Sequence, residues 1–375
     1  AMWRAIDAGY AYFDGGSRPR WRKARGHWHR MAARAGSTPQ LVSALEGAIA
    51  ELRDDHVMLV SPGKSTGRRI PYDLDIWPRW REGTVSIEAV RTFGDADVAG
   101  LHAGQVVTRV QNVPVESAVR EMLGAGRSTI PDIEWALRRV LAGPRIGLQR
   151  IDIREARRES VVEVERTAPA PSTSPPILAR RMGDERDIGY IRVRIGAANG
   201  DLAPHFAGAL GHMTGTRALI LDLRESAGPG SREATRSILS RFATQPTPWQ
   251  VRQAPGNPRA TDTVEPDGAT YTAPLVVLVD RWTAGEGEAL ATGLVAVAKA
   301  RVVGTAMAGL RGELHEITLP VSGIVVRYPG ERTFVAASGA PREAFQPSLP
   351  VDLSAPSGGP GDPILYRALK LLERR

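Results

Sequence analysis

The chain has 375 residues, which is long enough for two or three domains, and its 42% hydrophobic and 24% charged content is ordinary for a globular protein. It contains no cysteine, which excludes disulfides, thiol catalysis and cysteine-based zinc sites. No apolar run reaches about 18 residues, so no membrane span is expected. The formal net charge is +8, but no basic helix or basic run interleaved with aromatic residues occurs, so nucleic-acid binding is not expected.

Residues 1–69 are predicted to form a helical N-terminal segment. Leu41, Leu45 and Ile49 form an apolar stripe with helical spacing, and Ser37 or Thr38 precedes it as a candidate N-cap. The stripe ends at 54–56, and 57–60 reads as a short strand. The chain opens without a basic segment followed by an apolar one, so a signal peptide is not expected within it.

A different pattern begins at residue 70 and continues to 168. Apolar and polar residues alternate over 84–90 and 106–110, which predicts two strands. Between these strands lies a turn with Leu101 and Gly104, and a helix is predicted from about Glu116. This order resembles a PDZ domain, although Gln105 stands where the usual turn has aspartate. PDZ domains bind extended peptides by strand addition, which would place Leu101 and Gly104 at a peptide-binding site. A linker rich in proline and serine is predicted at 169–186.

Residues 187–375 alternate between strand and helix, which predicts an α/β domain. The predicted strands are 188–193, 218–223, 275–279 and 301–303, and the predicted helices are 201–210, 231–242 and 286–298.

Three segments place candidate site residues beside predicted elements. Segment 219–230 is a buried strand leading into a glycine-rich turn with Gly228, at the start of a helix. Segment 274–291 is a strand, a short turn and a helix bearing glutamate. Segment 52–57 carries His56. Backbone N–H groups at a helix N-terminus can stabilise an oxyanion, so the first two segments are candidates for catalytic turns.

These segments, in this order around a PDZ-like part, resemble the tail-specific (C-terminal processing) serine peptidases over nearly the whole chain. The first is similar to the family's LILDLRxNxGG, the second to its VDRxTxSxGE, and the third to its LxDxH. The resemblance implies an α/β core of the ClpP/crotonase type, preceded by a helical segment and a PDZ-like β-rich domain.

The second segment departs from the family at its nucleophile, because Gly285 stands where serine belongs. Glycine has no side chain with which to attack a carbonyl. The glycine is either natural or a replacement of the kind introduced to trap a complex, and the two remain open. Ser226, Ser231 and Thr283 lie nearby in sequence as alternative nucleophiles, although the turn geometry favours none of them.

The resemblance implies further roles in the tricorn-like branch of the family. His56 is the general base, and Glu343, in a stretch similar to the family's GxPxExxxxPD, orients it. Gly228 and the backbone N–H of Glu286 form the oxyanion hole. The branch that uses lysine as base is disfavoured, because 304–312 contains no lysine and arginine stays protonated.

Taken with the resemblance, the sequence predicts a serine peptidase-like hydrolase that recognises a peptide or protein C-terminus and is inactive with Gly285. A non-catalytic peptide- or ligand-binding relative and an acyl-transfer or cyclising activity are the alternatives. No cofactor and no metal are expected. An exported bacterial protein, periplasmic or extracellular, is expected, with a cytoplasmic location as the alternative. The sequence gives no oligomeric state.

Overall fold

The computed structural model describes residues 1–60, 70–124, 128–167, 175–183, 185–195, 202–228, 230–354 and 361–373. The chain divides into two compact units, which we call unit 1 (Ala1–Ala170 and Leu314–Glu331) and unit 2 (Pro171–Glu313 and Arg332–Arg375). The predicted segments 1–69 and 70–168 both fall in unit 1, and their separation into two domains stays a prediction. Residues 169–174 and residue 184 of the predicted linker lie outside the described residues.

The elements of the first part of unit 1 are, in chain order, α1 (Met2–Gly9), α2 (Ser17–Ala33), α3 (Thr38–Ala50), β1 (Met58–Val60), β2 (Ile76–Arg81), β3 (Thr84–Val90), α4 (Asp95–Val98), β4 (Val106–Val110), β5 (Val113–Pro114), α5 (Val115–Leu123), α6 (Ile130–Ala142), β6 (Gly147–Glu155) and β7 (Arg158–Arg166).

Unit 2 begins with β8 (Ile177–Met182), β9 (Ile188–Val193), α7 (Leu202–Gly211), β10 (Ala218–Asp222), β11 (Ala227–Gly228), α8 (Arg232–Ser240), β12 (Thr247–Gln253), β13 (Ala260–Val264), β14 (Leu275–Val279), β15 (Ala284–Gly285), α9 (Glu286–Ala298) and β16 (Arg301–Gly304). The last part of the chain contributes β17 (Glu313–Thr318), β18 (Val325–Val335), a 3₁₀ helix (Arg342–Ala344), β19 (Leu349–Pro350) and α10 (Pro363–Glu373).

The N-terminal helices of unit 1 are held by an aromatic core. The indoles of Trp3 and Trp21 stack with their ring centroids 3.6 Å apart, and Trp21 is fully buried with Ile49 of α3. The predicted cap of α3 is confirmed, because the Ser37 hydroxyl accepts the Gln40 N–H over 3.4 Å. In this unit β1 pairs antiparallel with 325–327 of β18, a partner distant in sequence.

The second layer of unit 1 is an antiparallel sheet in the order β2-β3-β4-β6-β7, with β5 beside β4. The strands predicted at 84–90 and 106–110 are confirmed, as is the helix predicted from about Glu116. Buried side chains of the sheet and of α5 and α6 form one core, including Ile87, Ile151 and Trp135. The PDZ-like character of this part stays a prediction.

The same part of unit 1 contains a buried ion pair between Arg166 and Asp75. The Arg166 guanidinium is fully enclosed and binds the Asp75 carboxylate, and its Nε donates to Gln149 Oε1 over 2.9 Å. Its Nη2 donates to the Leu141 carbonyl over 3.1 Å. Because a buried charge is tolerated only when it is paired and hydrogen-bonded, this network fixes β7 against β6 and α6.

Unit 2 contains a six-stranded sheet in the order β19-β16-β14-β10-β9-β8, parallel except for the antiparallel strand β8. Alternate residues of the sheet face two cores: Leu221 and Val277 pack with α7, α8 and α9, and Ile220 and Val276 pack with α10. The predicted α/β core is confirmed. Residues 177–182, expected within the linker, instead form β8, because the run of proline and serine ends at 176.

Candidate active site

The candidate site lies in unit 2, where β10 and β14 end beside one another. Both strands are parallel and paired, so the turns that follow them leave the same edge of the sheet. Each turn contains a two-residue strand, and these strands pair so that Gly228 lies opposite Gly285. The Ala284 N–H donates to the Ser226 carbonyl over 3.1 Å. The structure therefore brings the predicted nucleophile position beside the predicted oxyanion turn.

The backbone of Gly285 has an unusual conformation. It immediately precedes α9, with φ 58° and ψ −113°. A residue with a β-carbon pays roughly 1–2 kcal/mol for left-handed φ values, whereas glycine does not. Strained turns between a strand and a helix are typical of positions that present a nucleophile.

Glu288 holds this turn in place. Its carboxylate is 1% exposed and accepts N–H groups from Gly285 (2.9 Å), Gly309 (2.9 Å) and Leu310 (3.2 Å). Burial raises the pKa of Glu288 to about 7, although Arg342 and these amides oppose the rise. The sequence pattern predicts a glutamate on this helix without assigning it a role. A glutamate three residues after the N-cap is the signal that would have found it.

Glu286 follows Gly285 and turns its side chain into unit 2. It is 6% exposed and accepts the Thr235 hydroxyl of α8 over 2.6 Å. Burial and the neighbouring carboxylate of Glu313 raise the pKa of Glu286 to about 8. Its backbone N–H, the predicted oxyanion donor, is the first of the helix and has no acceptor within the helix. That role stays a prediction.

A second network fixes the end of β10. The Asp222 carboxylate accepts the Tyr190 hydroxyl over 2.7 Å and Arg224 Nη2 over 2.7 Å, and Arg224 also binds Asp362 over 2.8 Å. Burial and the Asp222 charge hold the pKa of Tyr190 above its ordinary value. Burial likewise raises the pKa of Asp280, which accepts the Trp282 N–H in the facing turn, to about 6.

Comparison with known proteins agrees with this geometry, because residues 187–344 match the model of peptidase family S41. The chain carries an S41 peptidase domain. Its fold is similar to that of the photosystem II D1 C-terminal processing protease, with a TM-score of 0.58 and 17% identity over 95% of this chain and 96% of that one. It is also similar to mature CPAF complexed with lactacystin, with a TM-score of 0.59 and 14% identity over 100% and 95% of the two chains. No curated protein matches the sequence.

The alternative hydroxyls of the S41 domain all have structural partners. Ser226 Oγ donates to the Val193 carbonyl over 2.6 Å, and Thr283 Oγ1 donates to the Leu223 carbonyl over 3.0 Å, and both residues are fully buried. Ser231 is the N-cap of α8 and accepts the Ala234 N–H over 3.4 Å. These contacts give all three hydroxyl groups structural roles in the turns and at the start of α8.

Glu343 lies in the 3₁₀ helix of unit 2 and is half-buried. Its carbonyl oxygen would be 3.3 Å from a β-carbon at Gly309, the residue that donates to Glu288. The backbone of Glu343 therefore lies beside Gly309, one of the residues hydrogen-bonded to Glu288. The predicted role of its carboxylate stays a prediction.

His56 lies in unit 1, in a tightly bound segment. It is 2% exposed, and its backbone N–H donates to Asp54 Oδ1 over 2.9 Å. Asp54 in turn accepts the Tyr10 hydroxyl over 2.6 Å, and Asp55 binds Arg138 Nε over 2.6 Å. These contacts give the histidine a fixed backbone. Its role as a base stays a prediction.

The two predicted peptide-binding residues also lie in unit 1. Leu101 is 1% exposed and packs in the core of the antiparallel sheet. Gly104 has φ 94°, and its N–H donates to the Ile87 carbonyl over 2.8 Å. A peptide contact at Leu101 would therefore use the backbone, and the assignment stays a prediction.

Within the described residues, no helix is both long and apolar enough to cross a bilayer, and no group of three or more histidine or acidic side chains is placed to hold a metal.

Proposed function

We propose that this protein binds extended peptides or protein C-termini on an S41 peptidase scaffold, and that it does not hydrolyse them with glycine at 285. The observation that carries the proposal is the pairing of Gly285 with Gly228 at the start of α9. Residue 285 keeps the strained turn and its glutamate support but has no side-chain oxygen with which to attack. The similarity to a C-terminal processing protease supports the choice of substrate.

The proposed chemistry follows from the missing hydroxyl. In a serine hydrolase the serine oxygen attacks the peptide carbonyl, the base takes its proton, and backbone N–H groups stabilise the oxyanion. Here His56 is the base, Glu343 orients it, and the N–H groups of Gly228 and Glu286 are the oxyanion donors. Without the nucleophile, a triad retains roughly 10³–10⁴-fold acceleration over water, which a routine peptide assay does not detect.

The direct test is Gly285→Ser, assayed by cleavage of a labelled peptide library. We expect hydrolysis by Gly285→Ser and none by the unmodified protein. Gly285→Ala is the matched control, because it adds the β-carbon and its backbone strain without the hydroxyl. Hydrolysis by Gly285→Ser but not by Gly285→Ser,His56→Ala would assign the base.

Two outcomes would contradict the proposal. Hydrolysis by the unmodified protein would require another nucleophile. Inactivity of Gly285→Ser with unchanged peptide binding would refute the serine mechanism, while the proposed peptide binding would still hold.

A crystal structure of Gly285→Ser gives an independent test of the assigned base and carboxylate. We expect the His56 imidazole to lie about 3 Å from the serine oxygen, since base and nucleophile must reach hydrogen-bond distance, and Glu343 to bind the imidazole. The exported location is part of the proposal and is tested by fractionating the source cells.

A further inference from the structure

A surface groove of about 390 Å³ lies in unit 2, between α8 and the β12–β13 pair. We call it the α8–β13 groove. Its lining includes Arg232, Arg236, Trp249, Arg252, Thr261 and Thr263.

Two of these arginines are available to a ligand. Arg232 and Arg236 are exposed and four residues apart on α8, so they project from the same side of the helix. Neither guanidinium forms a hydrogen bond or an ion pair in the part of the chain that the structure describes. A pair of exposed guanidinium groups one turn apart can bind carboxylate ligands through paired N–H donors.

The third arginine of the lining, Arg252, is already paired with a carboxylate of the protein. Arg252 donates two hydrogen bonds to Asp262, over 2.7 and 2.9 Å. Burial by itself would raise the pKa of Asp262, but the hydrogen bonds from Arg252 and Gln250, together with the charges of Arg252 and Arg232, hold it below its ordinary value. The carboxylate therefore stays ionised and keeps Arg252 engaged, and the ligand is left with Arg232 and Arg236.

The groove also borders a free strand edge. Within the described chain, β13 pairs with β12 on one side and with no strand on the other. Thr261 and Thr263 are exposed there. An edge strand presents unpaired N–H and C=O groups that an added strand can bind.

A buried donor in the lining has no acceptor. Trp249 is 1% exposed, and its indole N–H has no hydrogen-bond partner among the described residues. An unsatisfied buried donor costs free energy, but this N–H is itself enclosed and does not select the ligand of the groove.

We propose that the α8–β13 groove binds an acidic, extended peptide. Its backbone adds to β13, and its carboxylates pair with Arg232 and Arg236. A peptide fits better than a nucleic acid, because the edge of β13 offers backbone N–H and C=O groups that a peptide strand can pair with and a sugar-phosphate chain cannot. Thr235, between the two arginines in sequence, binds Glu286, so α8 contacts the candidate active site from its other side.

The experiment is fluorescence anisotropy with a labelled nonapeptide of alternating glutamate and valine, using the full chain. We expect the double variant Arg232→Gln,Arg236→Gln to bind about tenfold more weakly, because it loses two exposed ion pairs. The matched control Lys299→Gln,Arg301→Gln removes two exposed charges of unit 2 outside the groove and should bind unchanged. Arg232→Lys,Arg236→Lys, which keeps the charge, should lie between them.

Three outcomes would overturn the assignment. Equal binding of the peptide with glutamine in place of glutamate would exclude charge recognition. Equal binding of a peptide N-methylated at alternate residues would exclude strand addition. Oligonucleotide binding as tight as that of the acidic peptide, weakened by the same double variant, would assign the groove to nucleic acid. Because Gly285 is unchanged in all of these proteins, failure of Gly285→Ser to hydrolyse peptides would leave this result intact.

Discussion

The carboxylate of Glu288 accepts the backbone N–H of Gly285 over 2.9 Å, which closes the first turn of α9 onto the residue that precedes it. The same carboxylate accepts two more N–H groups, from Gly309 and Leu310. One buried side chain therefore fixes the position of residue 285 and the loop beside it. This support does not depend on the identity of residue 285, so the turn persists with glycine.

Replacing Glu288 should be strongly destabilising. Glu288→Ala leaves three N–H groups without their acceptor, and each unsatisfied buried donor costs about 1–3 kcal/mol. We expect the free energy of unfolding to fall by about 3–5 kcal/mol, and by less for Glu288→Gln, which keeps an acceptor oxygen. Urea denaturation measures both, with the exposed Glu265→Ala as the control. A loss as small as that of the control would show that the contacts contribute little.

Adding a β-carbon at residue 285 should lower stability, because the backbone there is strained for any residue other than glycine. Gly285→Ala places a β-carbon at φ 58°, and we expect it to lower the free energy of unfolding by about 1–2 kcal/mol. Gly208→Ala, an exposed position in α7 with open space around it, should instead raise it by about 0.5–1 kcal/mol. Thermal melts of the two variants should shift in opposite directions, and equal shifts would argue against strain at 285.

Stability should fall as the pH rises, and Glu286 should be one cause. Its pKa is about 8 in the folded protein against an ordinary value of 4.5. Between these values the folded protein holds a proton that the unfolded chain releases. The stabilisation is therefore complete below about pH 4.5 and is lost as the pH rises toward 8.

Glu286→Gln should remove that contribution, because glutamine mimics the protonated acid and can still accept from Thr235. Urea midpoints measured from pH 5 to pH 8.5 should decline less steeply in the variant. Glu288 and Asp280 keep their raised pKa values in both proteins, so a smaller decline remains. Parallel curves for the two proteins would contradict the prediction.

In unit 1, removing the buried guanidinium should be costly. Arg166→Met leaves Asp75 charged and enclosed, and loss of one partner of a buried pair costs about 3–5 kcal/mol. Arg158→Met, an exposed change in the same strand, should stay within about 0.5 kcal/mol of the unmodified protein. Denaturant unfolding with a probe in unit 1 distinguishes the two.

Local patterns in the sequence predict much of the fold. The strands at 84–90 and 106–110 and the helix at 286–298 have the predicted bounds, since alternation and helical spacing are local properties. Ser37 is confirmed as a cap for the same reason. β8 cannot be predicted from the sequence, because its exposed residues, next to a proline-rich stretch, give no alternating apolar signal.

Features that depend on distant residues could not be predicted. The sequence places Gly228 and Gly285 at strand ends through family resemblance, and only the sheet order shows that they pair. The contact of Glu286 with Thr235 joins two helices whose register no local pattern records. The α8–β13 groove has no motif, because its residues come from separate elements and only their packing makes them neighbours.

The long strand β18 has a consequence for synthesis. Its residues 325–327 supply the partner of β1 in unit 1, and its residues 332–335 pair with β12 in unit 2. On the ribosome β1 emerges early, but its partner emerges only after most of the sequence of unit 2. Distant pairings of this kind slow folding, because the intervening chain must be ordered or looped out first. Nascent or truncated chains that end before β18 therefore carry Met58–Val60 without the strand that pairs with it in the structure, and expression fragments need to extend beyond residue 335.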